Sequence, residues 1–458
     1  MPSGRDERHQ LSRRALLRWS VAAGAALGVS RSKICDILER TCGKGVAFAA
    51  AERATTRSVH LAAGNGGLAW FQLFWPQVAI ARARNPDFAW HKVGMERDVP
   101  GTAQPLVVGP DTPWIGLPPH RQVTCFTCGT NETHTPNNTS TTTLNGSGIF
   151  AIATALQASS LATLPVVTIG DAALGNAPGG AAPARVGSAE GLVQLFSSAA
   201  SQIGGVLARP DDAQLYKDQY HAFIQLNRAA NRSTTKAAYA TASAAADYLG
   251  RNLSSRLAIT DADRARYGIT SATRAGVAAI GDAFIVTVKA FQLGLTSCVV
   301  MPAMRDDPHG AFDRNEVATV PAQLRTVFDA FMTDLSATTD DATGGALADD
   351  TVITIHGDTP KDARERRGWP DGTAQGSNHV YVYSAGHLKS GWFGSLDPSG
   401  AVAGFGADGK PAPYSGASTA RFATASIAYA IARRDERAIA RFANGVTIGG
   451  VFGNLKDG

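Results

Sequence analysis

Five side chains in the second half of this chain have the chemistry of metal ligands. Asp307 and His309 lie two residues apart, His356 and Asp358 have the same spacing, and His379 follows them. Imidazole nitrogens and carboxylate oxygens bind zinc, and carboxylates also bind calcium and magnesium. The pattern therefore predicts one divalent-metal site, for zinc, calcium or magnesium, built from these five residues.

A metal at such a site polarises an ester oxygen and lowers the pKa of a bound hydroxyl group or water molecule. This is the chemistry of phosphate and sulfate ester hydrolysis. The nucleophile is then expected in the loop after the apolar run 123–128, where Thr133 and Thr135 flank His134. We predict that these three residues form the catalytic part of the site, with the hydroxyl of Thr133 or Thr135 as nucleophile.

A structural role for the same residues stays open. A single histidine can be a hydrogen-bonded core residue, and an aspartate beside glycine or proline is often a turn residue. Asp307 precedes a proline and Asp358 follows a glycine. The occurrence of five such groups beside three apolar runs favours a shared site over separate turns.

The elements expected to position these residues alternate along the chain, because short apolar runs are followed by longer runs with helical periodicity. This alternation predicts an α/β fold with a mainly parallel central sheet flanked by helices. Open α/β sheets bind ligands at the carboxyl ends of their strands, so the loops there are the expected place for the site. The predicted strands are Ala69–Trp75, Val123–Cys128, Pro165–Ile169, Cys298–Met301, Thr351–Ile355 and Val380–Tyr383. The predicted helices are Ser147–Ser159, Ala189–Ile203, Asp211–Asn227, Thr234–Leu253, Thr273–Leu293, Pro321–Leu335 and Thr419–Arg433.

One long region departs from this alternation. Residues 189–293 are rich in alanine, helical in pattern and nearly without strand candidates. We predict a helical cap or insertion there, within a single α/β domain that covers residues 50–458.

Two cysteines in one predicted strand raise the question of a thiol function. Cys125 and Cys128 have the spacing of a CxxC motif, but residues three apart in a strand point to opposite faces. A second pair, which a zinc site of this type requires, does not occur in the chain. Buried thiols are therefore favoured over a disulfide or a redox pair, which stays as the alternative.

The first 49 residues have the pattern of an export signal. Arg13 and Arg14 precede an apolar stretch, 19–29, and the best small-residue cleavage site ends at Ala49. This pattern predicts export of the folded protein by the twin-arginine translocation machinery, to the periplasm or outside the cell. The apolar stretch is far shorter than the ~20 residues of a spanning helix, so no stable membrane span is expected.

The charge of the chain does not predict a nucleic-acid partner. The pI is about 9.0, but the excess of basic residues lies in the first 49, and the remainder has equal numbers of acidic and basic side chains. A neutral surface lacks the basic patch that binding to a polyanion requires.

The order of the motifs resembles a family of exported proteins known as domain of unknown function 1501. Its layout is a twin-arginine signal, a glycine-rich first strand and loop, a Trp-Asp-Thr-His-Gly loop, a helix like 327–335, and then Ser-Glu-Phe-Gly-Arg-Thr-Pro and Asp-His-Gly. The family is similar in fold to alkaline phosphatases and sulfatases. The resemblance covers most of the chain after the signal and is strongest over residues 298–394.

Several residues match the family motifs directly. Asp307, His309 and Gly310 match the first late motif, Gly357, Thr359 and Pro360 match part of the second, and His379 matches the histidine of the third. The resemblance thus implies an alkaline phosphatase-like or sulfatase-like fold and a metal site at these positions.

The chain also departs from the family at metal-binding positions. Ile355, Asp358 and Asn378 replace a glutamate, an arginine and an aspartate, and the aspartate of the first strand is missing. Gly66 stands in its place if the loop is 64–68, whereas Pro76 and Gln77 follow if the strand is 69–75. A two-metal hydrolase needs that first carboxylate, so the resemblance implies a degenerate metal site.

Two functional hypotheses follow for this chain. The first is an exported binding or structural protein of the cell envelope that keeps the hydrolase fold with a degenerate metal site. The alternative is an active metal-dependent hydrolase of phosphate or sulfate esters, in which His356 and Asp358 supply replacement ligands.

Overall fold

The computed structural model of this protein describes just over half of the chain. The main described ranges are 55–62, 111–130, 143–158, 164–196, 253–304, 314–340, 344–357, 374–397 and 399–443. Shorter stretches are described at 73–74, 80, 83–84, 96–97, 106–107, 160, 162, 362, 364–365, 445–446 and 448–453. The predicted signal, residues 1–49, lies outside these ranges.

The chain divides into two compact units, and the sheet belongs to the larger one. This unit contains Glu52–Ser160, Leu164–Ala189 and Ile259–Gly458, and the smaller unit contains Met1–Ala51, Leu161–Thr163 and Glu190–Ala258. The region predicted as a helical cap, 189–293, is therefore shared between them.

An eight-stranded sheet forms the centre of the larger unit. Its strands are β1 (Arg57–Ala62), β4 (Thr124–Cys128), β7 (Val166–Ile169), β8 (Ala184–Val186), β9 (Cys298–Pro302), β10 (Thr351–His356), β11 (Asn378–Tyr383) and β12 (Gly391–Phe393). Their order is β12-β4-β11-β10-β1-β9-β7-β8, and every pairing is parallel except the two made by β11, which runs opposite to its neighbours. The predicted α/β fold with a mainly parallel sheet is confirmed.

Shorter strands form small sheets beside the main one. They are β2 (Glu96–Arg97) with β3 (Leu106–Val107), β5 (Thr143–Leu144) with β6 (Ser147–Gly148), and β13 (Ser395–Leu396), β14 (Val402–Phe405) and β15 (Pro411–Pro413). Positive φ angles at Asn145 (51°) and Gly146 (80°) form the tight turn between β5 and β6. Asn-Gly is the preferred sequence for such a turn, because both residues must adopt the left-handed conformation.

Eight helices are described. They are α1 (Ile149–Gln157), α2 (Ala189–Leu195), α3 (Leu253–Leu257), α4 (Asp261–Arg266), α5 (Ala275–Gln292), α6 (Arg314–Ala337), α7 (Gly416–Ile431) and α8 (Glu436–Ala443). In α4, Thr260 and Asp263 form a reciprocal capping box, which satisfies two backbone groups that the first turn leaves unpaired.

The two faces of the sheet are covered by different helices. Paired residues on neighbouring strands point to the same side, so the register defines each face. The side that carries Arg57 packs on α5, where the guanidinium contacts the ring of Phe291, and we call it the α5 face. The opposite side carries Phe126 and Val380 in one core cluster with α1 and α7, and we call it the α1 face.

Most predicted strands and helices in the described ranges are confirmed within a few residues. The predicted strand Ala69–Trp75 is wrong at Leu73 and Phe74, which are not in a strand. Helix α6 starts at Arg314 rather than at the predicted Pro321, which lies inside the helix. The predicted helices Asp211–Asn227 and Thr234–Leu253 lie outside the described residues, apart from Leu253, the first residue of α3.

Within the described ranges, one helix has the length and composition of a membrane span. It is α5, and 61% of it is buried in the protein. Its Phe284 ring stacks on Phe331 of α6 with the ring centroids 3.9 Å apart. These contacts are those of a core helix.

Candidate functional site

The loops predicted to form the site leave or enter the sheet at one edge. Strands β4, β9 and β10 end at this edge, and β11 begins there because it runs in the opposite direction. We call it the carboxyl edge. Strands β4, β11, β10, β1 and β9 are consecutive neighbours, so the strand ends from which these loops depart or to which they lead lie side by side. Six predicted site residues lie outside the described ranges: Thr133, His134, Thr135, Asp307, His309 and Asp358.

The two described candidates, His356 and His379, point to opposite faces of the sheet. His356 is paired with Val380 in the antiparallel register of β10 and β11, so these two side chains share the α1 face. His379 precedes Val380 on the same strand and therefore points to the α5 face. The backbone of the sheet separates these imidazoles, and the prediction that they bind one ion together does not fit this register.

His356 belongs to a row of hydrogen-bonded polar side chains on the α1 face. Its Nε2 atom lies 3.1 Å from the hydroxyl oxygen of Thr354, which in turn lies 2.7 Å from Nδ1 of His60 on β1. All three side chains are completely buried. We call this row the His60–Thr354–His356 triad; its outer nitrogens, Nε2 of His60 and Nδ1 of His356, have no hydrogen-bond partner.

Helix α1 covers the triad with an apolar side chain. The Phe150 ring lies 5.6 Å from the His60 ring and 4.8 Å from the His356 ring, between centroids. Burial lowers the pKa of both histidines to about 3, because the charged imidazolium loses its hydration, and for His356 the proximity of His60 contributes to this shift. Both imidazoles are therefore neutral near pH 7.

Helix α1 runs along β1, from the carboxyl end of this strand to its amino end. Phe150, its second residue, lies over the triad, whereas Gln157, its last residue, donates a hydrogen bond to the carbonyl of Thr56, which precedes β1. The helix thus begins at the carboxyl edge. Its N-cap residue, Gly148, makes no side-chain capping bond, and its first turn contains no acidic residue.

His379 lies in an aromatic environment on the α5 face. Its ring is nearly parallel to that of Tyr381, at 6.4 Å, and lies at the same distance from Trp392. Neither ring nitrogen has a hydrogen-bond partner, and burial lowers the pKa to about 3. The Trp392 indole donates its N–H to Thr127 at 2.7 Å and is not available to His379.

The described residues do not fit the metal that the family resemblance implies. Among them, no group of three or more histidine, cysteine, aspartate or glutamate side chains could hold an ion. The triad contains two neutral imidazoles and a hydroxyl but no carboxylate. What it can do chemically is donate or accept hydrogen bonds through its outer nitrogens.

His60 and Thr354 are not among the site residues predicted from the sequence. A signal was present, since Ser58 and His60 alternate with Val59 and Leu61, and Thr354 and His356 alternate with Ile355. Such alternation predicts a strand with one polar face, but here that face is buried and its polar groups bond to each other.

The predicted buried thiols are confirmed. Cys125, Cys128 and Cys298 are buried and form no disulfide, and burial raises the pKa of the Cys125 and Cys298 thiols. A thiol held in its protonated form is a poor nucleophile, which argues against the redox alternative.

Comparisons with known proteins provide no relative for this chain. No family model, no curated protein and no solved structure matches it.

Proposed function

We propose that this chain is an exported binding protein with a degenerate metal site, whose ligand binds at the carboxyl edge of the sheet. It would reach the periplasm or the cell exterior through the twin-arginine machinery, as the paired arginines Arg13 and Arg14 indicate. The resemblance to alkaline phosphatases and sulfatases then reflects common ancestry of the fold.

The observation that supports this proposal is the opposite orientation of His356 and His379. A two-metal ester hydrolase requires several ligands converging on each ion. These two imidazoles do not converge, and the segment 63–68, which follows β1, contains no carboxylate. The central loop of the edge therefore lacks the first metal carboxylate, while neutral hydrogen-bonding groups remain beside it.

Elemental analysis of the purified mature protein tests the proposal. We expect well under about one zinc, calcium or magnesium per chain after dialysis, and no turnover of aryl phosphate or aryl sulfate esters with added metal. Stoichiometric metal together with ester turnover would contradict it.

A second candidate function is metal-dependent hydrolysis of phosphate or sulfate esters. One observation favours it: the strands that precede or follow the predicted site loops, β4, β11, β10 and β9, lie within five consecutive positions of the sheet. On this hypothesis, His309→Ala lowers metal content and thermal stability together. If neither changes, the second candidate fails and the first stands.

A further inference from the structure

We propose that the first turn of α1 and the Nδ1 atom of His356 form a binding site for an oxyanion, with Thr354 and His60 setting the tautomer of His356. This inference rests on the proposed binding function and assigns a ligand class to it. It concerns the α1 face at the carboxyl edge and does not involve His379.

The first part of the site is the beginning of α1. The first turn of a helix has backbone N–H groups without partners inside the helix, and these groups carry a partial positive charge. In α1 no side chain caps them and no acidic side chain in the first turn neutralises them. Ile149 and Phe150 are buried, whereas Gly148 is half-buried and Gly146 is exposed, so the helix start lies just beneath the surface.

The second part of the site is a buried imidazole nitrogen on the side of its ring that faces the carboxyl edge, where α1 begins. The two ring nitrogens lie on opposite sides of the axis through Cβ and Cγ. Because Nε2 of His356 faces Thr354, two residues earlier in β10, its Nδ1 faces onward toward the end of the strand, which is the carboxyl edge. This nitrogen is buried without a partner, and the ring contacts Phe150 in the first turn of α1.

The hydroxyl group of Thr354 links the protonation of the two imidazoles. It has one proton to donate and accepts a bond in return. When Thr354 donates to Nε2 of His356, the His356 proton resides on Nδ1, and Thr354 accepts the Nδ1 proton of His60. Every bond inside the triad is then made, and His356 presents an N–H donor to the carboxyl edge.

The charges around the triad select an anion as the ligand. The triad lies on β1 and β10 beneath Phe150 of α1, and neither α1 nor the described residues of these two strands on this face include a carboxylate. A helix start and a neutral N–H donor together bind negative charge. Phosphate, sulfate and carboxylate groups share this chemistry, whether free or as part of a larger molecule.

Isothermal titration of the full mature protein with inorganic phosphate, sulfate and acetate tests the inference. We expect saturable binding of at least one of these ions at one site per chain. Thr354→Val keeps the shape of the side chain but removes the link to His60, and we expect it to weaken binding by about tenfold. Thr354→Ser keeps the hydroxyl and restores binding.

Thr168→Val is the matched control for this experiment. Thr168 is buried on the same face, in the same row across the sheet as Val300 and His60, and its hydroxyl has no partner. We expect Thr168→Val to bind the ion as the native protein does. Equal affinities of the Thr354→Val and Thr168→Val variants would overturn the inference, as would the lack of saturable binding of all three ions.

A spectroscopic measurement keeps the inference testable if Thr354→Val does not fold. In native protein labelled with ¹⁵N-histidine, the ion should shift an Nδ1–H signal that is absent in His356→Gln. An unshifted signal rejects the site. Rejection of this site does not reject the proposed binding function, because that function is tested separately by metal content and ester turnover.

Discussion

At the scale of single residues, the main feature of this protein is the burial of three imidazoles. His60, His356 and His379 are at most 2% exposed, and burial lowers the pKa of each from 6.5 to about 3. Among the residues that the structure describes, no carboxylate lies close enough to any of them to offset a positive charge. Such a histidine lowers the free energy of unfolding at any pH at which the unfolded chain binds a proton there and the folded chain does not.

This burial predicts that the protein loses stability as the pH falls from about 6.5 toward 3. In that window the unfolded chain binds protons at these histidines and the folded chain does not, so the equilibrium moves toward unfolding. Each histidine contributes up to about 1.4 kcal/mol per pH unit. Urea unfolding at pH 7, 6 and 5 measures the slope of the unfolding free energy against pH.

One variant isolates the contribution of a single histidine to this pH dependence. His379→Phe removes two unpartnered nitrogens from an aromatic environment, so we expect a smaller slope against pH and no loss of stability at pH 7. An unchanged slope would show that His379 titrates at its ordinary pKa in the folded protein.

The sequence indicates which residues can bind a metal or a ligand, but it does not indicate to which face of the sheet their side chains point. His356 and His379 both stand at strand ends, as predicted, yet a shift of one residue in the pairing of β10 and β11 would put them on the same side. Register depends on packing against α1 and α5, which lie far away in the chain. The convergence of candidate ligands therefore could not be deduced from spacing.

At the scale of elements, β1 shows why strand prediction fails at a central position. Its sequence begins with Arg57 and contains Ser58 and His60, residues that are rare in a buried strand. Arg57 and His60 are tolerated because each has a polar partner from elsewhere in the fold, Asp340 and Thr354 respectively. Strands β4, β7, β9 and β10, which are rich in β-branched and other apolar residues, were predictable.

The partners of Arg57 form a buried ion network at the start of β1. Its guanidinium lies 2.6 Å from Asp340 and 3.6 Å from Asp350, and it donates to the carbonyl of Phe291 on α5. Arg433, which follows α7, pairs with Asp350 from the other side. The network therefore joins α5, β1, the turn before β10 and the end of α7.

Removal of Arg57 should be strongly destabilising. Arg57→Met leaves the Asp340 carboxylate buried without its cation, and we expect a loss of about 3–5 kcal/mol in the free energy of unfolding. Arg325→Met breaks an exposed pair with Asp329 four residues away in α6 and should cost less than about 1 kcal/mol. Urea unfolding compares both variants with the native protein, and equal losses would contradict the structural role of the network.

The turn before α1 allows backbone strain to be tested without a steric clash. Gly146 has φ of 80°, and an added Cβ atom would meet nothing within 4 Å. We expect Gly146→Ala to destabilise the protein by about 1 kcal/mol through backbone strain alone. Gly187 also has open space but not a positive φ, so Gly187→Ala should be neutral or slightly stabilising. Thermal unfolding of the two variants checks this difference in sign.

At the scale of the whole molecule, the order of strands makes folding depend on distant parts of the chain. The neighbours of β1 are β9 and β10, whose residues Cys298 and Thr351 pair with Ser58 and Arg57. The sheet cannot be completed until most of the chain has been synthesised, and such non-local sheets form slowly. A protein of this kind is well suited to a route that exports folded chains.

The twin-arginine prediction can be tested on this basis. When Arg13 and Arg14 are both replaced by lysine, we expect full-length protein to accumulate inside the cell, folded and resistant to protease, while the exported form disappears. The comparison chain keeps both arginines but carries Arg57→Met. It should be exported in a reduced amount for a different reason, because a destabilised chain is unfolded and degraded more often before export. Cell fractionation with limited proteolysis distinguishes the two outcomes. Continued export of the lysine variant would mean that another route carries the protein, and the inference that it crosses the membrane folded would have to be given up.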